Sequence, residues 1–271
     1  MVPSALRPAA LALLAAVAAL FAFPALRHGV ETERAEARPA RAAQASPPAA
    51  GQPELQPIRL LARERPAKKA PTYTVARVRA GHSVKLRAKP GGSTVVTLGP
   101  RTEFGSKRVL AVAAVRGRWL GVSVPERPNG KLGWIDSRSD AIERSRVKVS
   151  LRADLSARRV DLVVGRRVVK RMRVAIGRPG SSTPTGRFAV TDKISGNRYG
   201  PYYGCCILAL SGHQPNTPAG WRGGNRLAVH GTNAPGTIGA AASAGCLRGS
   251  DRDLRTLMRR VPVGTPIFIG R

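Results

Sequence analysis

The chain of 271 residues is long enough for one large domain or two small ones. With 46 Lys and Arg against 15 Asp and Glu, its formal net charge is +31, which favours anionic partners such as nucleic acid, acidic lipid or an acidic wall polymer. The excess is mostly Arg spread over every segment, and aromatic residues are only 4%, so neither a DNA-reading arm nor a base-stacking platform is indicated, and we predict no nucleic-acid partner.

The first predicted element is an apolar helix. Residues 8–26 read PAALALLAAVAALFAFPAL and contain no charge. A helix of ~20 apolar residues spans a bilayer, whereas a secretory signal peptide has a shorter apolar core and a small-x-small cleavage site. Phe21, Phe23 and Leu26 interrupt the small-residue pattern. We therefore predict an uncleaved membrane anchor within residues 1–30, with the rest of the chain outside the cytoplasm; a signal peptide is the alternative.

The next two segments differ sharply in pattern. Residues 31–72 are rich in Pro, Ala and charge without an apolar period, which predicts a disordered linker. Residues 73–140 contain six short alternating runs, separated by turn signals such as Asn129-Gly130, and six such strands form a small barrel or sandwich. The stretches GRWLGV and GKLGWID resemble bacterial SH3-like modules. We predict an SH3-like β-barrel over this segment, with no assigned ligand.

A second β-rich unit is predicted over residues 147–271. Short apolar runs indicate strands throughout it, and only 250–261 has a helical pattern. Ser250 is a good N-cap, with Asp253 at the third helical position, close to a capping box. Apolar residues then recur at three- and four-residue spacing, at Leu254, Leu257, Met258 and Val261. The pattern predicts one short helix packed on a β core.

Candidate chemistry lies in one Gly/Ala-rich stretch of this unit. His230 ends a predicted strand, and Cys246 follows sixteen residues later. A thiol is mostly protonated at neutral pH, and a histidine within hydrogen-bond reach can activate it. The intervening glycines let the loop turn back, and Gly245 could present N–H groups to an oxyanion. Spacing alone leaves open an unrelated His and a Cys acting as a small hydrophobe; a metal site is disfavoured because Cys-x-x-Cys does not occur.

Two stretches carry a family resemblance. RLAVHGTN…SAGCLR is similar to the signature of the L,D-transpeptidase (YkuD-type) catalytic domain, which runs His-Gly, a gap, then Ser-His-Gly-Cys, an apolar residue and Arg. VAIGRPGSSTPTGRFAV, at 174–190, resembles the family's Gly-x-Pro-x-x-x-Thr-Pro-x-Gly-x-Phe segment. Both motifs occur in the family's order within 147–271. The resemblance implies an enzyme acting on peptidoglycan stem peptides, without metal or organic cofactor.

The resemblance also implies roles for individual residues. Cys246 would attack the carbonyl between residue 3 and the terminal D-Ala of a tetrapeptide stem. His230 would take the thiol proton, with its ring oriented by the backbone carbonyl of Gly231. The resulting thioester would pass to the side-chain amine of a second stem, giving a 3→3 cross-link. Transfer to water instead would make the protein an L,D-carboxypeptidase.

The substrate side of the motif contains one departure from the family. Ser243, Gly245 and Arg248 match family positions. Amides around Gly245 and Cys246 would form the oxyanion hole. Arg248 would hold the loop or a stem carboxylate, with a structural salt bridge as the alternative. Ala244, however, stands where the family has a second His that lines the site. His213, in LALSGHQP, is our candidate for a compensating imidazole on the substrate side. The departure also raises the alternative of a decayed, wall-binding protein, which the retained Cys and His oppose.

The cysteine count adds one expectation. Three cysteines outside the cytoplasm indicate one free thiol, Cys246, and a leftover pair, Cys205 and Cys206. A disulfide between sequence neighbours is strained, and neighbours on a strand point to opposite faces, so one of the two is expected in the core. The whole chain is thus predicted to be mainly β: a transmembrane helix, a disordered linker, an SH3-like barrel and a β-sandwich transpeptidase-like domain with one short helix.

Overall fold

The computed structural model of the protein describes residues 69–221 and 223–271. The predicted membrane anchor and nearly all of the predicted linker lie outside the described residues. All described residues belong to the second of two units into which the chain divides, Arg63–Arg271. Within them, no helix has the length and apolar character needed to cross a membrane.

The first sheet contains seven antiparallel strands in the order β3-β2-β6-β5-β4-β1-β7. The strands β1 to β7 are Tyr73–Val78, Val84–Arg87, Thr94–Leu98, Val109–Arg116, Trp119–Ser123, Gly133–Asp136 and Ile142–Val147. The first six coincide with the six runs read from the sequence, while β7 was not anticipated because its sequence, IERSRV, is almost wholly exposed. Backbone pairing along the full length of β1 holds it at the sheet edge. The likeness of this segment to SH3-like modules stays a prediction.

The second sheet contains eight strands in the order β10-β9-β8-β17-β12-β13-β14-β16, and a two-stranded sheet, β11-β15, lies beside it. The strands β8 to β17 are Val149–Asp154, Arg159–Val164, Arg167–Arg173, Ile176–Gly177, Gly186–Ser195, Cys206–His213, Arg226–His230, Ala241–Ser243, Leu247–Arg248 and Pro266–Gly270. The single α-helix of the described chain, α1, is Asp251–Arg260. The prediction of a mainly β protein with one short helix is confirmed.

The helix forms where the sequence predicted it. The Ser250 hydroxyl accepts the Asp253 N–H at 3.2 Å and donates to the Asp253 carboxylate at 2.8 Å, which caps the first turn. Leu254 is fully buried in an apolar core that also contains Leu151 of β8 and Leu208 of β13. Burying a Leu side chain stabilises a fold by roughly 1.5–3 kcal/mol. The helix therefore fixes the segment that leaves the predicted site.

Direct hydrogen bonds join the two sheets. The half-buried Arg187 guanidinium of β12 donates to the carbonyls of Val112, at 2.7 Å, and Ala113, at 3.2 Å, on β4. The Asn129 side chain accepts the His213 N–H at 2.9 Å and donates to the His213 carbonyl at 2.7 Å. Burial lowers the pKa of Arg187 from its usual value; the two carbonyls accept from Nη1 and Nη2, while Nε has no partner among the described residues. These contacts fix β4 and the loop before β6 against the sheet that carries His230.

Candidate active site

His230 lies at the end of β14 and is fully buried. Its Nδ1 is 2.6 Å from the carbonyl oxygen of the next residue, Gly231. Because a carbonyl only accepts, Nδ1 carries the proton and Nε2 carries the free lone pair. Nε2 has no hydrogen-bond partner within the described chain. Burial lowers the pKa of His230 to about 4, so the ring is a neutral base with an available lone pair at neutral pH.

Cys246 returns to His230 through strand pairing. The residue immediately after it begins β16, which runs parallel to β14, with Val229 opposite Leu247 and His230 opposite Arg248. Cys246 and His230 both line a cavity of about 100 Å³. Burial raises the pKa of the Cys246 thiol to about 11, with the neighbouring Arg248 charge opposing that shift. The resting pair is therefore a neutral thiol and a neutral imidazole.

Aromatic side chains close over the histidine. The Tyr202 and Tyr203 rings lie 5.7 and 4.9 Å from the His230 ring, centre to centre, and Trp221 packs edge-on against Tyr202 at 5.9 Å. Burial raises the pKa of Tyr203, so its hydroxyl remains protonated. Our sequence reading missed these side chains. The available signal was GPYYGCC, a Gly-flanked aromatic pair in a chain with only 4% aromatic residues.

Arg248 is buried beneath this aromatic cover. Its Nη2 donates to the Ala242 carbonyl at 2.8 Å, and its guanidinium lies 5.6 Å from the Tyr202 ring centre. In the described part of the chain a carbonyl, rather than a carboxylate, is therefore its partner. Its backbone pairs with Ala175 in both directions, at 2.7 and 3.0 Å. The structure gives Arg248 the loop-holding contacts, and its charge helps to keep His230 neutral.

Ser243 braces the cysteine loop from within. It is buried, donates its hydroxyl proton to the Cys246 carbonyl at 2.6 Å and accepts the Gly245 N–H at 3.0 Å. Its hydroxyl is thus used inside the loop, and a contact between Ser243 and substrate stays a prediction. Of the amides expected to form the oxyanion hole, the Gly245 N–H already has a partner in Ser243, and the hole itself stays a prediction.

Gly245 is required by space as well as by conformation. Its φ is +118°, and a Cβ at this position would overlap the side-chain nitrogen of Gln214. That nitrogen, Nε2, lies within 3.0 Å of the carbonyls of Ser181 and Ser182 and 3.2 Å of the Ala244 carbonyl. Gln214 is itself buried and was not singled out in the sequence. It ties the cysteine loop to the second motif.

The other sequence motif, at residues 174–190, also supports the loop that carries Cys246. Ile176–Gly177 pairs in parallel with Ala241–Ser243, and the Arg178 N–H donates to the Ser243 carbonyl at 2.9 Å. A Cβ on Gly177 would overlap the backbone around Ser181 and Thr183, while its N–H donates to the Thr183 hydroxyl at 2.8 Å. The two sequence motifs are thus parts of one structure that positions Cys246.

His213 lies away from the vacant family position. Its Nε2 is 2.7 Å from the Pro125 carbonyl, and its Nδ1 is 3.0 Å from the Asn225 side-chain oxygen. It lines a different cavity, formed between the two sheets, and does not line the cavity that holds Cys246. The interpretation of His213 as a substrate-side imidazole is therefore corrected: the ring is used at the contact between the sheets. Gln214, rather than His213, lines the cavity with Ala244.

Cys205 and Cys206 form a disulfide, and Cys246 is the free cysteine. Cys206 is buried in the core at the start of β13, whereas Cys205 lies in the preceding turn, so strand alternation does not separate the two sulfurs. The Cys205 N–H contacts both carboxylate oxygens of Asp251 at 3.0 Å. The Cys206 carbonyl accepts the Gly231 N–H at 3.0 Å. The disulfide-bonded pair therefore supports the backbone that orients His230.

The described residues contain no group of three or more His, Cys, Asp or Glu placed to hold a metal ion.

Comparison with known proteins finds similarity over the part of the chain that carries this site. Residues 148–269 match the family model for YkuD, the L,D-transpeptidase catalytic domain. The putative L,D-transpeptidase YkuD of Bacillus subtilis is 33% identical over 117 residues, which cover 43% of this chain and 63% of that protein. The Bacillus licheniformis protein of the same name is 34% identical over 115 residues, covering 42% and 61%. The chain thus spans less than two thirds of these relatives. A solved L,D-transpeptidase from Mycobacterium smegmatis aligns over 60% of this chain and 82% of that one, with 21% identity and a TM-score of 0.38.

Proposed function

We propose that this protein is a peptidoglycan L,D-transpeptidase that forms 3→3 cross-links through a thioester on Cys246. The proposal is supported by the match of residues 148–269 to the family model for YkuD, the L,D-transpeptidase catalytic domain. One observation carries the proposal. The buried His230 is held at Nδ1 by the Gly231 carbonyl, its Nε2 has no partner in the described chain, and the residue lines the same cavity as the free thiol of Cys246. Such a base beside such a nucleophile suits acyl transfer.

The first half-reaction breaks the amide between residue 3 and the terminal D-Ala of the donor stem. As Cys246 Sγ bonds to the carbonyl carbon, its proton moves to His230 Nε2. The carbon–nitrogen bond then breaks, and His230 returns that proton to the departing amine of D-Ala. The donor remains attached as a thioester, and the imidazole is neutral again. General-base attack is favoured over a standing thiolate because burial keeps the thiol protonated at rest.

The second half-reaction forms the cross-link. The side-chain amine of an acceptor stem attacks the thioester carbonyl, and His230 takes a proton from the attacking nitrogen. The carbon–sulfur bond breaks, and the same proton passes to the sulfur, restoring the thiol. Water attacking in place of the amine would release a tripeptide, which is the carboxypeptidase alternative. The aromatic cover of Tyr202, Tyr203 and Trp221 supports the amine reaction, because it limits the space open to bulk water beside His230.

Product analysis tests this proposal. The full chain, incubated with a tetrapeptide stem as donor and a second stem as acceptor, is expected to yield a dimer lacking one D-Ala. Fragmentation in the mass spectrometer should locate the new amide between the two third residues. Donor and acceptor stems that both have acetylated side-chain amines are the control and should give tripeptide only. Tripeptide without dimer at saturating free acceptor would assign the carboxypeptidase reaction instead, and the absence of both products would leave the decayed wall-binding protein.

We further propose that the protein acts outside the cytoplasm, held at the membrane by residues 8–26. The uncharged run and the peptidoglycan substrate support this location. The protein recovered from the membrane fraction is expected to retain the anchor, so its first residues should be those of the sequence start. N-terminal sequencing that begins beyond Leu26 would contradict the anchor and indicate a cleaved signal peptide.

A further inference from the structure

A turn of the first sheet reaches the cavity of the second. The segment Arg101–Lys107, here called the 101–107 hairpin, connects β3 and β4 and closes with a bridge between its end residues. The Thr102 N–H donates to the Ser106 carbonyl at 2.9 Å, and the Gly105 N–H donates to the Thr102 carbonyl at 3.0 Å. Gly105 has a φ of +87°, the conformation that glycine supplies in tight turns. The hairpin is therefore ordered by its own backbone.

Two side chains fasten this hairpin to the second sheet. The Thr102 hydroxyl donates to the fully buried Asp192 carboxylate on β12, and Glu103 forms an ion pair with Arg226 on β14. Arg226 is further held by the Leu210 carbonyl, at 3.0 Å from its Nε. Arg226 belongs to the strand that ends at His230, and its own carbonyl lies 3.8 Å from Cys246 Sγ. The hairpin is thus anchored to the strand that carries the base.

Phe104, at the tip of the hairpin, lines the same cavity as Cys246 and His230. It is partly buried and packs with Tyr203 and Cys246 against an apolar cluster of the second sheet, formed by Ile194, Ile207, Ala209 and Ala228. The Arg226 guanidinium lies 5.7 Å from its ring centre, and Tyr199 meets it edge-on at 6.3 Å. A side chain from outside residues 148–269 therefore forms one wall of the candidate active site.

We propose that Phe104 is a specificity-determining residue that binds the apolar portion of the acyl donor beside the reacting carbonyl. This inference rests on the proposed transpeptidase function. Phe104 has no proton to exchange and no polar atom, so it contributes to donor binding by apolar contact and takes no part in the proton transfers. Its loss therefore weakens the capture of a stem peptide without weakening the reaction of Cys246 with a small thiol reagent.

A residue that binds the donor but takes no part in proton transfer is expected to affect KM and not kcat. Phe104→Ala should raise KM for the tetrapeptide donor about 10-fold, on the order of what an aromatic contact contributes, and leave kcat within about 2-fold. Alkylation of Cys246 by iodoacetamide should be no slower than in the wild type. Phe104→Leu keeps an apolar side chain at the tip and should give a smaller rise in KM. Lys107→Ala changes the same hairpin at a residue outside this cavity and should match the wild type.

Each outcome separates the two proposals. An unchanged KM in Phe104→Ala, with an active wild type, would overturn the role of Phe104 and leave the transpeptidase proposal standing. A fall in kcat with unchanged KM would also overturn it, because the residue would then act on the site's structure. If Phe104→Ala fails to fold, the KM of Phe104→Leu decides in the same way. A wild type that forms no product with any donor would overturn the proposed function, and this inference with it.

Discussion

Cys246→Ala is expected to gain no mass from a carbapenem or a tetrapeptide donor, whereas the wild type gains one adduct per chain. The chain has three cysteines, and two of them are joined in the Cys205–Cys206 disulfide, so the substitution removes the one free sulfur. The substitution leaves the backbone carbonyls of the loop unchanged. The hydrogen bonds that Ser243 and Gln214 donate to those carbonyls therefore stay intact. Intact-protein mass spectrometry measures the adduct directly.

The matched control for this result is the double variant Cys205→Ala/Cys206→Ala. It retains Cys246 and should still form the adduct, while the loss of the disulfide beside Gly231 should lower its unfolding temperature. A full-strength adduct on Cys246→Ala that disappears in the double variant would move the chemistry to the disulfide pair. That outcome would overturn the assignment of the nucleophile.

His230→Ala is expected to slow acylation by ~10²–10⁴-fold, the range that a positioned proton-transfer group contributes. The physical reason is that Cys246 has a pKa raised to about 11 and needs a base to take its proton as it attacks. The reaction is quenched at timed intervals at a fixed donor concentration, and mass spectrometry then gives the rate of adduct formation. The ratio of the wild-type rate to the variant rate is the measured effect. His213→Ala is the matched control, since it removes an imidazole that lies outside this cavity. A near-normal acylation rate in His230→Ala would show that His230 is not the base.

The pH dependence of the same rate provides a second readout. The His230 pKa is lowered to about 4, so the neutral base is present above about pH 5 and is lost only as the pH falls through 4. The Cys246 thiol stays protonated until the pH approaches 11. Acylation in the free protein is therefore expected to be nearly constant from about pH 6 to pH 9. An acid limb centred near 6.5, the ordinary histidine value, would contradict a buried neutral His230.

Local patterns predicted most of the elements but not all of them. Alternating apolar runs identified six strands of the first sheet, and a capped apolar stripe identified α1. Strand β7 was not predicted because nearly all of its side chains are exposed and its position is fixed by backbone pairing with β1. A pattern of buried side chains cannot predict an element that buries almost none.

The residues of the candidate site likewise include some that the sequence predicted and some that it did not. His230 and Cys246 were predicted because they belong to a local motif, whereas Gln214 and Phe104 reach the site only through long-range contacts. The assignment of His213 failed for a simple geometric reason: it is the last residue of β13, and its side chain and that of the next residue project to different sides. Gln214 faces the cysteine loop, and His213 faces the first sheet. Sequence alone does not say which of two neighbours points into a site.

The parallel pairing of β14 with β16 has a consequence for the segment that joins them. The separation of His230 from Cys246 is set by that pairing and by β11 with β15, at the two ends of the interval. Within the interval, Asn233, Pro235 and Gly236 are exposed to solvent. Exposed loop tips of this kind accept added or severed chain most readily. We therefore expect that the middle of this segment can be lengthened or cut without separating His230 from Cys246, which makes it the place to insert a reporter domain.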